Sequence, residues 1–321
     1  MNTKNFKGAK YLCLSIIISL ALVLGACGNS NALVKQEGQS QTEKTQVVAT
    51  TTMLADLSRI IGGELVKVKG LMGPGIDPHL YQASAGDVSA LQNADVVVYH
   101  GLDLEGKMGA VFDSLSEMNK TIIRAEDAID RSDLLSDEED ANYFDPHIWF
   151  DVSLWKDVTE HFAREMALYD PDNASVYALN AENYLRELDE AELYIKNRVD
   201  ELPEASRVLI TAHDAFQYFA HAYGFEVRGL QGISTDAEAG TADVRELADF
   251  IIDREIKAIF IESSVPHKSV EALQAAVRAQ GFDVEIGGEL YSDSLGDQAS
   301  GHETYIATNK ANIDTIVDAL K

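Results

Sequence analysis

Short apolar runs alternate with amphipathic stretches along most of this chain, from about residue 46 to its C-terminus. Residues 95–99, with three consecutive valines, are typical of a parallel strand that is buried on both faces. The same pattern predicts strands over residues 46–52, 65–71, 95–99, 121–124, 207–211, 225–230, 258–261 and 282–286. Strands that alternate with helices indicate an α/β fold, with parallel sheets flanked by helices.

One long helical pattern separates the two sets of strands. Its apolar positions recur every three or four residues until Pro203 ends the pattern, at Tyr177, Ala181, Tyr184, Leu188, Ala191, Ile195 and Val199. Such a helix is on the order of 40 Å long and spans more than one lobe. We therefore predict two similar lobes, residues 46–170 and 204–321, which a connecting helix over residues 171–203 joins.

The N-terminus has the features of an export signal. Three lysines precede an apolar stretch over residues 12–24, which is too short for a comfortable membrane span. The stretch ends in Leu-Gly-Ala-Cys, which is typical of a bacterial lipoprotein signal, although an ordinary signal peptide with a chance cysteine is the alternative. We predict a signal peptide over residues 1–26, lipidation of Cys27 and a flexible tether over residues 27–45, on the outer face of the bacterial cell membrane.

Charge and cysteine content exclude several classes of protein. The formal net charge is −27, which disfavours binding to nucleic acid and to anionic lipid. Cys13 leaves with the signal and Cys27 would be lipidated, and the chain has only these two cysteines. The mature protein therefore has neither a disulfide nor a thiolate metal site.

The tripeptide Asp-Pro-His occurs twice, at residues 77–79 and 145–147. Proline fixes its own φ and favours an extended residue before it, so His79 and His147 lie on stiff backbone. Histidine is the commonest metal ligand in proteins. His213 and Asp293 each follow a predicted strand of the second lobe, where ligands of open α/β sheets bind. Each lobe thus offers two candidate ligands to the cleft between the lobes.

Other residues near these positions have candidate supporting roles. Asp77 and Asp145 would either orient the histidines or shape their own loops through local hydrogen bonds. Glu262, at the end of a strand, could orient a ligand, whereas Tyr81 and Trp149 are interpreted as packing residues of the cleft. We do not expect metal binding by the remaining histidines, His100, His161, His221, His267 and His302.

The chain resembles the metal-binding lipoproteins, or substrate-binding proteins, of manganese and zinc ABC importers. The matching stretches lie in both lobes and are Met72–Ser84, Asp145–Trp149, Leu209–Phe219, Gly229–Thr235, Ile261–Ser264 and Leu290–Leu295. The resemblance implies a two-lobed receptor with a rigid connecting helix, an ABC permease as its partner, and His79, His147, His213 and Asp293 as metal ligands. We expect a monomer that is not an enzyme.

Three features bear on the metal. Dedicated manganese receptors of the family have Glu where this chain has His213, and zinc-directed relatives often have a His-rich loop that residues 126–142 lack. The sequence around His79 and His213 is most similar to manganese receptors. Three imidazoles and one carboxylate suit any divalent first-row metal, and affinity alone favours Zn²⁺ over Mn²⁺. We predict Mn²⁺ as the transported ion, with Zn²⁺ second and Fe²⁺ third.

Two other functions remain as alternatives, an exported metallohydrolase and a surface adhesin. A hydrolase needs an open coordination position and a neighbouring general base. The chain has neither the His-Glu-x-x-His nor the Gly-x-Ser-x-Gly motif. An adhesin would bind a protein partner and would be indifferent to metal, so metal binding distinguishes it from a receptor.

Overall fold

The computed structural model describes residues 44–136 and 143–321. The predicted signal peptide, Cys27, all but the end of the tether and residues 137–142 lie outside this part. Its strands are β1 (Thr45–Ala49), β2 (Val66–Gly70), β3 (Val96–Tyr99), β4 (Thr121–Arg124), β5 (Val208–His213), β6 (Glu226–Gln231), β7 (Ala258–Glu262) and β8 (Glu285–Leu290). Its helices are α1 (Thr52–Gly62), α2 (Ala85–Asn93), α3 (Gly109–Glu117), α4 (Val152–Tyr169), α5 (Ala174–Val199), α6 (Gln217–Tyr223), α7 (Thr241–Asp253), α8 (Lys268–Ala279) and α9 (Tyr305–Leu320).

The first lobe is built on a four-stranded sheet in the order β2-β1-β3-β4, and all of its strands are parallel. In the second lobe β5 pairs with β6 and β7 pairs with β8, again in parallel. β5 lies beside β7, so the strands follow one another as β6-β5-β7-β8 and repeat the order of the first lobe. The α/β fold with parallel sheets that the sequence predicts is confirmed.

Successive strand residues face opposite layers of the core. In β1, Val47 and Ala49 pack into the central apolar cluster, whereas Val48 packs against Leu91 and Leu115 from α2 and α3. Because both faces of a parallel sheet are covered in this way, its strands are continuous apolar runs. This coverage of both faces explains why the short apolar runs were recognisable in the sequence.

The connecting helix α5 has 26 residues, and its buried side consists of the seven apolar positions named above. At about 1.5 Å per residue it is ~39 Å long. The central apolar cluster contains residues of α5 together with Trp155 from the first lobe and Phe260 and Tyr305 from the second. Residues 44–321 therefore form one compact unit.

One predicted strand is displaced. The sequence placed it over residues 282–286, but β8 runs from Glu285 to Leu290 through Gly287 and Gly288. Glycine is depleted in strands, and this pair therefore indicated a loop. The close packing explains the glycines, because a Cβ on Gly287 would lie 2.7 Å from the Ala319 side chain. Within the described residues no helix is both long and apolar enough to cross a bilayer.

Candidate metal centre

His79, His147, His213 and Asp293 meet between the two sheets, and all four are buried. Each offers one ligand atom, and these atoms all lie within 4.8 Å of one another. His147 Nε2 is 3.3 Å from His79 Nε2 and 3.4 Å from His213 Nε2. Asp293 Oδ1 is 3.4 Å from Nε2 of both His147 and His213. The structure thus brings together all four residues that the sequence selected.

The four side chains come from the carboxyl ends of strands and from the loops that follow them. His79 follows β2. The sequence placed His213 just past a strand, but His213 is the last residue of β5. Asp293 follows β8, and His147 precedes α4, whose first turn is capped by Asp151 through the N–H of Ser153. This is the edge of a parallel sheet at which α/β proteins place their ligands.

Buried carboxylates orient two of the histidines. Asp145 Oδ1 accepts hydrogen bonds from His147 Nδ1 at 2.7 Å and from its backbone N–H at 2.9 Å. Glu262 does the same for His213, at 2.6 Å from Nδ1 and 2.9 Å from the backbone nitrogen. With the proton on Nδ1, the lone pair of a neutral imidazole is on Nε2 and faces the centre of the group. Glu262 therefore has the contact that its considered orienting role requires, and Asp145 both orients its histidine and shapes its loop.

Asp77 has a different role, because its carboxylate binds the backbone of a histidine rather than the ring. Its Oδ1 accepts the backbone N–H of His79 at 2.8 Å, which is the loop-shaping bond that was one of its two predicted roles. Its Oδ2 accepts the hydroxyl of Thr235 at 2.6 Å, from the loop between β6 and α7. The sequence analysis quoted Thr235 only as part of a matching stretch and assigned it no contact. The pairing has no local sequence signal, because 158 positions separate the two residues.

The two carboxylate oxygens of Asp293 differ in their hydrogen-bond partners. Ser264 donates a hydrogen bond to Oδ2 at 3.0 Å, and Ser264 Oγ lies 2.8 Å from Ser292 Oγ. Oδ1 is buried and has no well-formed hydrogen bond among the described residues, and its polar neighbours are Nε2 of His147 and His213, each at 3.4 Å. A buried polar atom without a partner is costly, so this oxygen marks a place where a cation would be stabilised. Neither serine was identified from the sequence.

Trp149 packs against the group, as was expected of it. Its indole lies 5.2 Å from the His147 ring, centroid to centroid, and its Nε1 donates to the Ser292 carbonyl at 3.1 Å. Tyr81 is half-buried, and its hydroxyl donates to Asp87 at the start of α2. Trp149 therefore excludes water beside the ligand atoms and ties the Asp293 loop to the first lobe.

The protonation of the group follows from its burial and its charges. Burial alone would lower the pKa of His147, but Asp145 and Asp293 outweigh it and raise that pKa to about 9. The same balance, with Asp293 and Glu262, holds the pKa of His213 well above its usual range. Burial lowers the pKa of His79 to about 3. Burial would raise the pKa of Asp293, but the charges of His213 and His147 hold it well below its usual range.

The group therefore contains an ionised carboxylate and basic imidazoles that share protons. A divalent cation would replace those protons, because metal ligands must be deprotonated. Three imidazole nitrogens and one carboxylate oxygen form a donor set for Zn²⁺ or another divalent first-row metal. The four donor atoms lie close enough together to bind one ion.

Known proteins are similar to this chain in both sequence and fold. The zinc-binding protein TroA of Treponema pallidum is 45% identical over 304 residues, which are 95% of this chain and 98% of that protein. The manganese-binding lipoprotein MntA of Bacillus subtilis is 42% identical over 308 residues, 96% of this chain and 98% of its own length.

Solved structures agree. The periplasmic zinc-binding protein TroA from Treponema pallidum superposes with a TM-score of 0.84 at 48% identity, over 87% of this chain and 99% of that chain. A manganese-bound periplasmic metal-binding protein from Candidatus Liberibacter asiaticus superposes with a TM-score of 0.76 at 26% identity, over 87% of this chain and 100% of that chain. The model of one family, ZnuA, described as zinc-uptake complex component A, periplasmic, matches residues 47–319, and the chain belongs to that family.

Proposed function

We propose that this protein is an extracytoplasmic receptor that binds one divalent transition-metal ion between its lobes and delivers it to an ABC permease. The ligands are Nε2 of His79, His147 and His213 and Oδ1 of Asp293. One observation carries the proposal, the convergence of these four buried ligand atoms within 4.8 Å of one another. Such a group in a water-excluded cleft suits retention of an ion rather than catalysis, which needs an open position for water.

The spacing of the donor atoms fits a small divalent ion. Tetrahedral zinc with bonds of about 2.0–2.1 Å places its ligand atoms about 3.3–3.4 Å apart. The four nearest pairs in this group, all of which include His147 or Asp293, are separated by 3.3–3.4 Å. The ligand atoms of His147, His213 and Asp293 therefore need little rearrangement to bind such an ion, which favours tight binding, whereas His79 has this spacing only to His147.

The manganese preference predicted from the sequence is retained as a proposal for the ion that is transported. Relatives named for zinc and for manganese are of almost equal similarity. Divalent zinc binds a given set of nitrogen and oxygen ligands more tightly than manganese. We therefore expect Zn²⁺ to displace Mn²⁺ in vitro, so that Mn²⁺ is transported only where zinc is scarce.

We also propose the finer organisation that the sequence suggested. Lipidation of Cys27 would hold a monomeric receptor at the outer face of the cell membrane. Lobes of residues 46–170 and 204–321, with a connecting helix over 171–203, would present the bound ion to the permease. In the chain, α5 follows β4 and precedes β5, which supports this division.

The test is metal binding by the variants His79→Ala and Asp293→Ala, measured by calorimetry after removal of metal with a chelator. We expect the wild type to bind one ion and both variants to lose most of the affinity. The matched control is His267→Ala, because His267 is an exposed histidine that pairs with Glu289. Unchanged affinity in the first two variants would exclude this site, and hydrolytic turnover would favour the enzyme alternative.

A further inference from the structure

The loop that contains His79 is attached to the second lobe at two points. The backbone N–H of Gly75 donates to Ser294 Oγ at 2.8 Å. Thr235 Oγ1 donates to Asp77 Oδ2 at 2.6 Å, and the other oxygen of Asp77 accepts the N–H of His79. A single carboxylate therefore links the backbone of a proposed metal ligand to the opposite lobe.

His79 is also the ligand that lies nearest to solvent. Its exposure is 3%, whereas His147 and His213 are fully buried and Asp293 is 1% exposed. Its loop neighbours Ile76 and Leu80 are 42% and 45% exposed. The ligand group therefore approaches solvent at this loop.

The two histidines that lie deeper are held by their ring nitrogens. Asp145 and Glu262 bind Nδ1 of His147 and His213, so neither ring moves without losing a charge-assisted hydrogen bond. For His79 the carboxylate binds the backbone N–H instead, and it is in turn held by Thr235. Movement of the His79 loop away from the centre thus requires the Thr235 hydroxyl to release Asp77.

We propose that this hydrogen bond, the Asp77–Thr235 latch, controls the rates at which metal enters and leaves the site. Thr235 is a positioning residue that acts through Asp77, and it does not touch the ion. The inference rests on the proposed function, since it concerns exchange at the same site. Beyond the proposed function, the inference assigns to Thr235, a residue of the second lobe, control of the exchange rates rather than of the affinity.

The latch makes a specific kinetic prediction. Neither of its atoms is a proposed ligand atom, so we expect the hydrogen bond to form both before and after an ion binds. Weakening it raises the open population of both states by the same factor. Association and dissociation rate constants then rise together while Kd is almost unchanged. If Thr235 merely kept His79 in place, its loss would raise Kd and the dissociation rate constant without accelerating association.

A neighbouring contact provides a comparison within the same loop. Lys107 Nζ lies 2.7 Å from Asp236 Oδ1, but these side chains are 34% and 56% exposed. Exposed ion pairs contribute little and are screened by salt. The variant Lys107→Met should therefore change the exchange rates far less than loss of the buried Thr235 hydroxyl.

The experiment is stopped-flow fluorescence of the full chain, because Trp149 lies beside His147 and reports on the site. The metal-free protein is mixed with Mn²⁺ to measure association, and the loaded protein is mixed with a chelator to measure release. Thr235→Val should raise both rate constants about tenfold, the effect of losing one hydrogen bond to a charged group. Thr235→Ser keeps the hydroxyl and should restore wild-type rates.

The matched control is Ser234→Ala, because Ser234 Oγ accepts the N–H of Asp236 within its own loop. Asp77→Asn weakens the latch from the other side and should accelerate both steps, which keeps the proposal testable if Thr235→Val folds poorly. Rates of Thr235→Val equal to those of Ser234→Ala would overturn the latch, as would a rise in Kd without faster association. A wild-type protein that binds neither Mn²⁺ nor Zn²⁺ would refute the proposed function, and the latch with it.

Discussion

Metal binding should displace protons from the two deeper histidines, and its affinity should therefore rise steeply with pH. The pKa of His147 is raised to about 9, against the burial that lowers it, because Asp145 and Asp293 lie beside its ring. At pH 7 its proton must be removed before an ion binds, at a cost of about 3 kcal/mol, since one pH unit corresponds to about 1.4 kcal/mol. The affinity at pH 7 is then about 100-fold below its value above pH 9.

His213 adds a second contribution in the same direction, because its pKa is also raised well above its usual range. The Nε2 atoms of His147 and His213 are 3.4 Å apart, so two positive charges there repel each other and share the stabilisation by Asp293. We therefore expect release of between one and two protons for each ion bound at pH 7. His79 contributes none, because burial lowers its pKa to about 3.

Calorimetry at pH 7 in buffers of different ionisation enthalpy measures the number of protons released. The variant Asp145→Asn keeps an acceptor for His147 Nδ1 but removes the charge that raises its pKa, so it should release fewer protons than the wild type. Binding without proton release, together with an affinity that is flat between about pH 6.5 and 8.5, would contradict the protonated group described above.

Three further predictions concern other buried residues. Glu262→Gln should weaken metal binding about 10- to 100-fold by calorimetry, because His213 loses its charged partner, whereas Glu289→Gln at an exposed site should not. Trp149→Phe should lower the free energy of unfolding by about 1 kcal/mol in urea, because the Ser292 carbonyl loses its donor; an unchanged value would show that this bond contributes nothing. Burial raises the pKa of Glu105 from 4.5 to about 7, so the folded state holds its proton more tightly, and stability should fall by about 3 kcal/mol as pH rises through that window. Glu105→Gln should remove this decline in thermal or urea unfolding measured across the same pH range, and persistence of the decline would assign it to other groups.

The sequence predicted those parts of the fold that depend on local periodicity. The seven buried positions of α5 were read directly from its spacing, because one helix face supplies them all. Strands buried on both faces, such as β3, were recognised from consecutive valines. β8 was displaced because Gly287 and Gly288 indicate a loop when their tight packing against α9 is not known.

The four candidate metal ligands could also be selected from the sequence, because the family motifs include them and each follows a strand or precedes a helix. Family membership further confirms the predicted class, a metal-binding component of an importer rather than an enzyme. The sequence did not predict the contacts between lobes, such as those of Trp149 with Ser292 and of Thr235 with Asp77. These pairs are 143 and 158 residues apart, and only the folded arrangement of the two sheets brings them together.

The packing between the lobes favours the proposed exchange through the His79 loop over separation of the lobes. Trp155 of the first lobe stacks on Tyr305 of the second at 4.9 Å, and both belong to the central cluster around α5. An aromatic side chain buries about 150–250 Å², so exposing one costs about 4–6 kcal/mol at 25 cal/mol per Å². A hinge that opened the whole cleft would expose several such residues at once. The His79 loop is held to the second lobe by the hydrogen bonds of Gly75 and Asp77, which cost far less to break. Local movement of this loop is therefore the less expensive route for an ion that enters or leaves the site.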